Sequence, residues 1–347
     1  MRWRLVPRTR WGWIRMVALL SLLPLLFVAI WLFTVKMPGR PFAGPLEPLT
    51  ADQRALEARL GAHVRVLAGQ IGERSAARYE AVQQAAAYLD STFQALGYPV
   101  RAQDYAVRGR VYQNLEAEVR GVTQPEEIVV VGAHYDSAED APGADDNASG
   151  VAGMLELART FAGSAPARTL RFVAFANEEP PSFPTADMGS RHYADAAAAR
   201  GERVVAMLSI ESIGYYDETP GSQRYPFPLN LAYPDRGDFI GFVSNLRSRP
   251  LLRRAIAAFR DHAQFPTQGA AAPWWVPGVW WSDHWAFWRK GFAAIMITDT
   301  APYRNVFYHT AGDTPSTLDY DRMARVVDGL VWVVRDLAGE IRSRSRG

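Results

Sequence analysis

Residues 128–137 read IVVVGAHYDS and decide the fold class. Four apolar, mostly β-branched residues in succession are typical of a strand that is buried on both faces, as in a parallel sheet. A polar loop, GADDNASG, follows at 143–150 and leads into VAGMLELA at 151–158, which favours a helix. A strand, a polar loop and a helix in this order predict an α/β fold, in which ligands bind at the carboxyl edge of the sheet.

Apolar stretches and helical patterns alternate along the rest of the chain. Strands are predicted at 128–133, 169–176, 204–210 and 292–298, after a β-ribbon at 101–107 and 111–119. Helices are predicted at 51–70, 76–96, 147–162, 189–199, 250–262 and 319–345. This alternation predicts a three-layer α/β sandwich, with helices flanking a mostly parallel central sheet, as one domain over residues 51–347. Two irregular stretches, 217–236 and 272–281, are expected to form walls of a cleft.

The N-terminal region has the composition of a membrane anchor. Residues 17–35 carry no charge and are long enough to cross a hydrocarbon core of ~30 Å. Five arginines precede this stretch, so residues 1–16 are predicted as a basic cytoplasmic tail, 17–35 as a transmembrane signal-anchor and the remainder as lying outside, in the periplasm or at the cell surface. Residues 36–50, rich in Pro and Gly, are predicted as a linker. A cleaved signal peptide is the alternative, but its apolar region is usually only ~7–15 residues.

Composition excludes several functional classes. Residues 1–40 hold seven basic and no acidic side chains, so residues 41–347 hold the remaining 31 of 38 basic residues and all 36 acidic ones. That net negative charge argues against a nucleic-acid partner. The chain has no cysteine, which excludes disulfides and thiolate chemistry. Any bound metal must therefore be held by His, Asp and Glu.

Side chains that can bind metal follow each predicted parallel strand. Because the carboxyl ends of parallel strands meet at one edge of a sheet, we expect these groups to lie close together. They are His134, Asp136, Asp145, Glu178, Glu179, Glu211 and His309. Two adjacent glutamates cannot point the same way on an extended segment, so one can bind metal while the other acts as a base if the backbone turns there.

Five motifs, in this order along the chain, resemble those of the M28 family of co-catalytic zinc aminopeptidases. They are HYDS at 134–137, GADDNASG at 143–150, NEE at 177–179, MGSRHY at 188–193 and YHT at 308–310. The resemblance covers about residues 75–345.

The resemblance assigns a role to each candidate residue. It implies that Asp145 bridges two zinc ions, that His134 and Glu211 complete one ion, and that Glu179 and His309 complete the other. Glu178 would be the general base, and Asp136 would orient His134 through its second ring nitrogen. One departure is Glu211, where simple aminopeptidases more often have aspartate. Another is the insertion PPSFP at 180–184, which is expected to reshape the rim of the cleft.

The implied activity is that of a zinc-dependent exopeptidase, most simply an aminopeptidase that hydrolyses N-terminal residues of peptides. Two zinc ions ~3.5–4 Å apart can share a water and stabilise the tetrahedral intermediate, while Glu178 transfers the proton. A single-zinc glutaminyl cyclase is the alternative; it would use positions matching Asp145, Glu179 and His309, with Glu178 as base. A non-catalytic receptor-like domain would be expected to have lost ligands or the base, and none is missing here.

Other side chains have two interpretations each. Asp313 and Asp283 either support the site from behind or cap helices, with Asp313 expected near the start of the last helix. His284 is expected in the cleft or in packing rather than as a ligand, and His63 and His262 are expected to be ordinary surface or packing residues. Two tyrosines, Tyr303 and Tyr308, are candidates to polarise the scissile carbonyl. Four tryptophans either line an apolar substrate pocket or simply pack: Trp274, Trp275, Trp280 and Trp281.

Overall fold

The computed structural model describes residue 7 and residues 9–227 and 229–339, and the chain divides after Lys36 into two compact units. The first unit contains helix α1 (Arg10–Thr34), whose N-terminus is capped by the Thr9 side chain. None of its residues is buried, and its most apolar window has a mean hydropathy of 2.6. At 1.5 Å per residue its 25 residues extend about 37 Å. The predicted apolar segment thus lies in one helix that is long and apolar enough to span a membrane.

The second unit, residues 37–347, contains one large sheet and eight described helices. The helices are α2 (Ala51–Val64), α3 (Tyr79–Ala95), α4 (Gly150–Phe161), α5 (Gly189–Ala199), α6 (Arg249–His262), α7 (His284–Arg289), α8 (Ala301–Arg304) and α9 (Tyr320–Ala338). The strands are β1 (Val100–Val107), β2 (Arg110–Val119), β3 (Gln124–His134), β4 (Arg168–Phe175), β5 (Arg203–Glu211), β6 (Ile240–Ser244), β7 (Thr267–Ala271) and β8 (Ala294–Thr298).

The strands form a single sheet in the order β1-β2-β4-β3-β5-β8-β6-β7. The central strands β4, β3, β5 and β8 are parallel, whereas β2 and β6 join this block in antiparallel orientation. The predicted α/β sandwich with a mostly parallel sheet is confirmed. Since the four parallel strands run in the same direction, their carboxyl ends all lie at one edge.

Both faces of the sheet are covered, and β3 shows why. Val129 and Val131 pack into a core with residues of α2, α3, α4, α6 and α9, while Ile128 and Val130 point to the other face and pack with residues of α5 and α7. Successive side chains of a strand alternate between faces. A strand between two helical layers therefore needs apolar residues at every position, which is the pattern of residues 128–131.

Four short elements were not predicted from sequence: β6, β7, α7 and α8. Strand β7 reads TQGAA, in which Thr267 alone is of a type enriched in strands, and it forms because it pairs with β6 at the edge of the sheet. The helix predicted to start at residue 147 begins at Gly150 instead, after an irregular turn. The last predicted helix ends as α9 at Ala338, and its remainder beyond residue 339 lies outside the described residues.

The segment predicted as a linker, 36–50, contains no helix or strand. Two of its residues, Met37 and Leu49, are nevertheless buried, so the segment packs against other residues of the second unit. The Pro38 carbonyl also accepts a hydrogen bond from Arg260 Nη1 at 2.9 Å. Residues 37–50 are therefore part of the second unit.

Candidate metal centre

Five potential metal ligands meet at the carboxyl edge of the sheet. His134 and Glu211 are the last residues of β3 and β5, and Glu179 lies four positions after the end of β4. Asp146 comes from the turn before α4, and His309 from the segment between α8 and α9. These five residues are called the donor set below.

The donor set forms two groups that share one residue. His134, Asp146 and Glu211 make one group, and Asp146, Glu179 and His309 make the other, with the potential ligand atoms of each group within 4.8 Å of one another. The two oxygens of Asp146 are divided between the groups: Oδ1 lies 3.2 Å from His134 Nε2, and Oδ2 lies 3.0 Å from His309 Nε2. Glu211 Oε2 is 3.2 Å from His134 Nε2, and Glu179 Oε2 is 3.2 Å from His309 Nε2.

The shared aspartate is Asp146, whereas the resemblance assigned this place to Asp145. The Asp145 carboxylate is already used within the fold, since Oδ1 accepts the Gly214 N–H at 2.9 Å and Oδ2 accepts from Asn305 Nδ2 at 2.8 Å. Asp146 has non-helical backbone angles (φ −106°, ψ 94°), so the two neighbouring side chains point in different directions. The geometry therefore corrects the predicted position by one residue.

The donor set fits a pair of divalent cations. Several of its buried polar atoms form no hydrogen bond with any residue in the described part of the chain: both ring nitrogens of His134, Oδ1 of Asp146 and Oε1 of Glu179. Buried polar atoms without partners are costly and rare, which indicates that a bound group completes this site. Two imidazoles and three carboxylates, with one carboxylate facing both groups, are a donor combination that suits zinc.

Without metal, the site must hold protons to offset its crowded negative charge. Burial raises the pKa of Glu179 to about 7, and burial also raises that of Glu211. Burial acts to lower the pKa of His309, but the Asp146 and Glu179 carboxylates outweigh it and raise the pKa to about 10. A zinc ion needs a neutral imidazole and ionised carboxylates, so metal uptake must release protons.

Asp136 connects His134 to the turn that carries both glutamates. Its Oδ1 lies 3.4 Å from His134 Nδ1, the ring nitrogen that faces away from Asp146. The same carboxylate accepts the backbone N–H groups of Glu178 at 3.1 Å and Glu179 at 3.0 Å. Asn177 has a positive φ of 58°, which turns the chain after β4 and lets the adjacent glutamates diverge. The sequence predicted only the contact with His134.

Glu178 lies beside the donor set without belonging to either group. Its Oε2 is 3.9 Å from His134 Nε2, and only 7% of the residue is exposed. Burial, together with the neighbouring carboxylates of Glu179 and Glu211, raises the pKa of Glu178 well above its usual value, although His134 acts against this shift. A buried carboxyl group with a raised pKa next to a metal site is suited to accept and release a proton near neutral pH.

Two further residues hold the loop that carries Asp146. Asp313 accepts the backbone N–H groups of Asp145 at 2.9 Å and Asp146 at 3.2 Å, so it supports the site from behind. It does not cap the last helix; that is done by Asp319, which accepts the Arg322 N–H.

Arg74 was not predicted from sequence. It is fully buried, and its guanidinium donates to five backbone carbonyls: those of Leu67, Gly72, Tyr135, Pro142 and Gly143. Arg74 thereby joins the two loops that carry the first and second motifs.

The remaining histidines do not contribute to the donor set. His284 Nε2 contacts the Val279 carbonyl at 2.8 Å, and burial lowers the pKa of this imidazole to about 4. His63 lies between Tyr88 and Glu156, and His262 stacks on Trp332 with ring centres 4.1 Å apart. All three have packing roles. Asp283 is fully buried, and neither of its oxygens has a hydrogen-bond partner among the residues that the structure describes. Its neighbour Ser282 donates to Glu211 Oε2 at 2.7 Å.

A mostly apolar cavity of about 110 Å³ adjoins the donor set, with Glu211 and Tyr308 among its lining residues. Much of its remaining wall is aromatic: Tyr225, Tyr233, Phe239, Phe242, Trp281 and Tyr303. Of the four tryptophans discussed above, only Trp281 lines this cavity. Trp280 stacks on Phe183 of the inserted segment at 5.2 Å, whereas Trp274 and Trp275 are exposed. The inserted segment therefore packs against the tryptophan-rich stretch.

Comparisons with known proteins identify the family of this chain. A family model described as peptidase family M28 matches residues 114–334. An uncharacterised protein, YfbL, of Escherichia coli K12 is 40% identical over 318 residues, which cover 88% of this chain and 97% of YfbL. A probable leucine aminopeptidase of Trichophyton verrucosum is 30% identical over 224 residues, 60% of this chain and 53% of that protein. The chain thus matches about half the length of this fungal relative.

Solved structures share the fold at low sequence identity. The zinc aminopeptidase BSAP of Bacillus subtilis superposes with a TM-score of 0.65 and 15% identity, covering 81% of this chain and 94% of BSAP. A glutaminyl cyclase of Tannerella forsythia superposes with a TM-score of 0.59 and 22% identity, covering 80% of this chain and 97% of the cyclase. Both enzyme classes occur on this fold, so the function must be argued from the site.

Proposed function

Because this chain belongs to peptidase family M28, we propose that it is a zinc-dependent aminopeptidase whose active site is the donor set around Asp146. The family predicted from the five motifs is confirmed, and with it the prediction of a peptidase-type hydrolase. The observation that carries the finer proposal is the division of the Asp146 oxygens between two groups of ligands.

We infer a two-ion centre from this division. His134 and Glu211 would hold one zinc ion, Glu179 and His309 the other, and Asp146 would contact both. Two zinc ions bound there would supply Lewis acidity, which activates a water and polarises the carbonyl of the scissile bond.

Glu178 would carry the proton in this reaction. The attacking water forms a C–O bond with the scissile carbonyl carbon and gives a proton to the Glu178 carboxylate. As the C–N bond breaks, Glu178 passes this proton to the nitrogen of the leaving amine. Asp136 holds the backbone of Glu178, which fixes the distance between this base and the donor set.

Tyr308 is suited to stabilise the carbonyl oxygen. It lines the cavity, and its ring stacks on His309 at 3.8 Å. Burial raises the pKa of Tyr308 well above its usual value, and the carboxylates of the site add to this shift, so its hydroxyl keeps its proton. A positioned hydroxyl can donate to the oxygen on which negative charge develops.

The substrate is inferred from the cavity and from the charge of the site. An apolar, largely aromatic cavity beside Glu211 suits a large apolar side chain at the N-terminal position of a peptide. The carboxylates around the donor set suit the free ammonium group of that same residue. Together they favour removal of one N-terminal residue over cleavage inside a chain.

The test is an assay of the full-length, zinc-loaded protein in detergent. We expect about two zinc equivalents per chain, release of leucine or phenylalanine from peptides with a free N-terminus, and no release from the same peptides after N-acetylation. One tight zinc per chain, together with cyclisation of N-terminal glutamine, would contradict this proposal and favour the cyclase.

We also propose that the catalytic unit lies outside the cytoplasmic membrane. Five arginines, at positions 2, 4, 8, 10 and 15, precede the uncharged stretch 17–35 of α1, whereas only Lys36 and Arg40 follow it closely. This asymmetry favours a cytoplasmic N-terminus. A C-terminal reporter that is active only in the periplasm or at the cell surface would agree with this orientation, and a reporter active only in the cytoplasm would exclude it.

A further inference from the structure

Two loops line the cavity, the first within residues 217–236 and the second within 272–281. Large apolar side chains are exposed on both of them. On the first loop, Phe227 is 82% exposed and Leu231 68%; on the second, Trp274 is 62% and Trp275 66% exposed. Both loops also contribute residues to the cavity wall. We call these four residues the apolar rim. Single exposed apolar residues are ordinary, but several such residues on two loops that line the same cavity indicate an interaction surface.

Both loops are joined to the edge strand β7. The first loop is fixed there by Tyr233, whose hydroxyl donates to the Gly269 carbonyl at 2.8 Å. The second loop continues directly from the end of β7 at Ala271. The apolar rim is therefore built on both sides of one short strand.

The chain enters the catalytic unit at this same strand. Met37 is buried against Gly269, since a Cβ added to that glycine would lie 2.7 Å from Met37 Cγ. Helix α1 ends at Thr34, so only Val35 and Lys36 separate it from this anchored methionine. Three peptide steps of 3.8 Å reach at most about 11 Å. The covalent connection from α1 to the methionine that packs on β7 is therefore short.

We propose that the apolar rim contacts the surface of the bilayer in which α1 is anchored. Tryptophan is favourable at the boundary between headgroups and acyl chains because its ring is apolar and its N–H is polar, and phenylalanine and leucine add apolar area that can be buried there. The connection also favours this surface, because Met37 follows α1 after only two residues and packs on the strand to which both rim loops are joined. The cavity then opens beside the membrane surface. This inference rests on α1 as a membrane span and not on the catalytic activity.

The absence of cysteine allows a direct test, because one introduced cysteine can be labelled alone. A spin label is attached to Phe227→Cys and, separately, to Trp275→Cys in the full-length protein, which is reconstituted in phospholipid nanodiscs. Collision with oxygen, which concentrates in lipid, is compared with collision with a water-soluble nickel chelate. Val122→Cys is the matched control. Val122 is similarly exposed, at 62%, but it lies between β2 and β3, at the opposite end of β3 from His134.

We expect both rim labels to collide more with oxygen than with nickel, and the control label to behave in the opposite way. Rim labels that meet nickel as readily as the control would overturn the proposal. Rim labels that neither reagent reaches would also overturn it, because they would show a second copy or another protein covering this surface. A cooperative thermal unfolding transition like that of the unlabelled protein establishes that each variant is folded, and either rim variant alone is sufficient.

Discussion

The donor set and the loops around the cavity are held in different ways. Backbone segments that carry the donor set are held by buried side chains, among them Arg74, Asp136 and Asp313. The cavity loops, by contrast, place aromatic rings at the surface, with Trp274 and Trp275 exposed. We propose that the difference separates two tasks: the edge of the sheet that bears the donor set, called the rigid edge below, carries out the chemistry, and the loops determine which molecules reach it.

The largest expected effect distinguishes the two neighbouring glutamates of the rigid edge. Glu178→Gln keeps the size of the side chain but removes the base, so we expect turnover to fall by ~10²–10⁴-fold with both zinc ions retained. Glu179→Gln is the matched comparison, and it should weaken one zinc site and recover part of its activity at high zinc. Zinc content and turnover are measured on both variants. Zinc loss in the Glu178 variant with full zinc in the Glu179 variant would reverse the two assignments.

A smaller effect is expected at the boundary between the edge and the cavity. Tyr308→Phe removes the hydroxyl that we assign to the carbonyl oxygen, and it should lower kcat by ~10²-fold with little change in KM. Tyr303→Phe is the control, because Tyr303 also lines the cavity but stacks on Trp281 rather than on His309. Steady-state kinetics on one peptide compares the two. Equal losses in both variants would argue against a special role for Tyr308.

The smallest effect concerns the cavity itself. Val243 lines it, so Val243→Trp should fill the space and lower kcat/KM for leucyl and phenylalanyl peptides by ~10–200-fold, while alanyl peptides are nearly unaffected. Val122→Trp, on an exposed site elsewhere, should change neither. The ratio of kcat/KM between leucyl and alanyl peptides is the measurement. An unchanged ratio in the Val243 variant would show that this cavity does not select the substrate.

The difference between the sheet edge and the cavity loops also explains which parts of the molecule could be predicted from the sequence. The residues at the strand ends, His134 and Glu211, could be located because a buried parallel strand has a clear apolar pattern and its carboxyl end lies at a known edge. Strand β7 could not, since TQGAA has no strand pattern and depends on pairing with β6. The cavity depends on this strand and on irregular loops, so its shape was not predictable either.

Two details of the rigid edge also escaped prediction, for local reasons. Asp145 and Asp146 are chemically identical, and only the backbone angles of the turn decide which carboxylate faces the histidines. Arg74 lies 60 residues before His134 along the chain, outside any motif. Its partners are backbone carbonyls, which every residue has, so no residue type in the sequence indicates this contact. The role of Arg74 could therefore be recognised only once the fold was known.

The shared position of Asp146 is the central claim, and zinc content measured on two neighbouring variants tests it most directly. Asp146→Asn removes the carboxylate that faces both groups of ligands, whereas Asp145→Asn changes a side chain that binds Gly214 and Asn305. Both proteins are purified without chelator and analysed for zinc by elemental analysis at equal protein concentration. We predict that Asp146→Asn loses zinc from both sites, while Asp145→Asn keeps close to two zinc ions per chain at reduced thermal stability. Two zinc ions in the Asp146 variant, with loss in the Asp145 variant, would contradict the account.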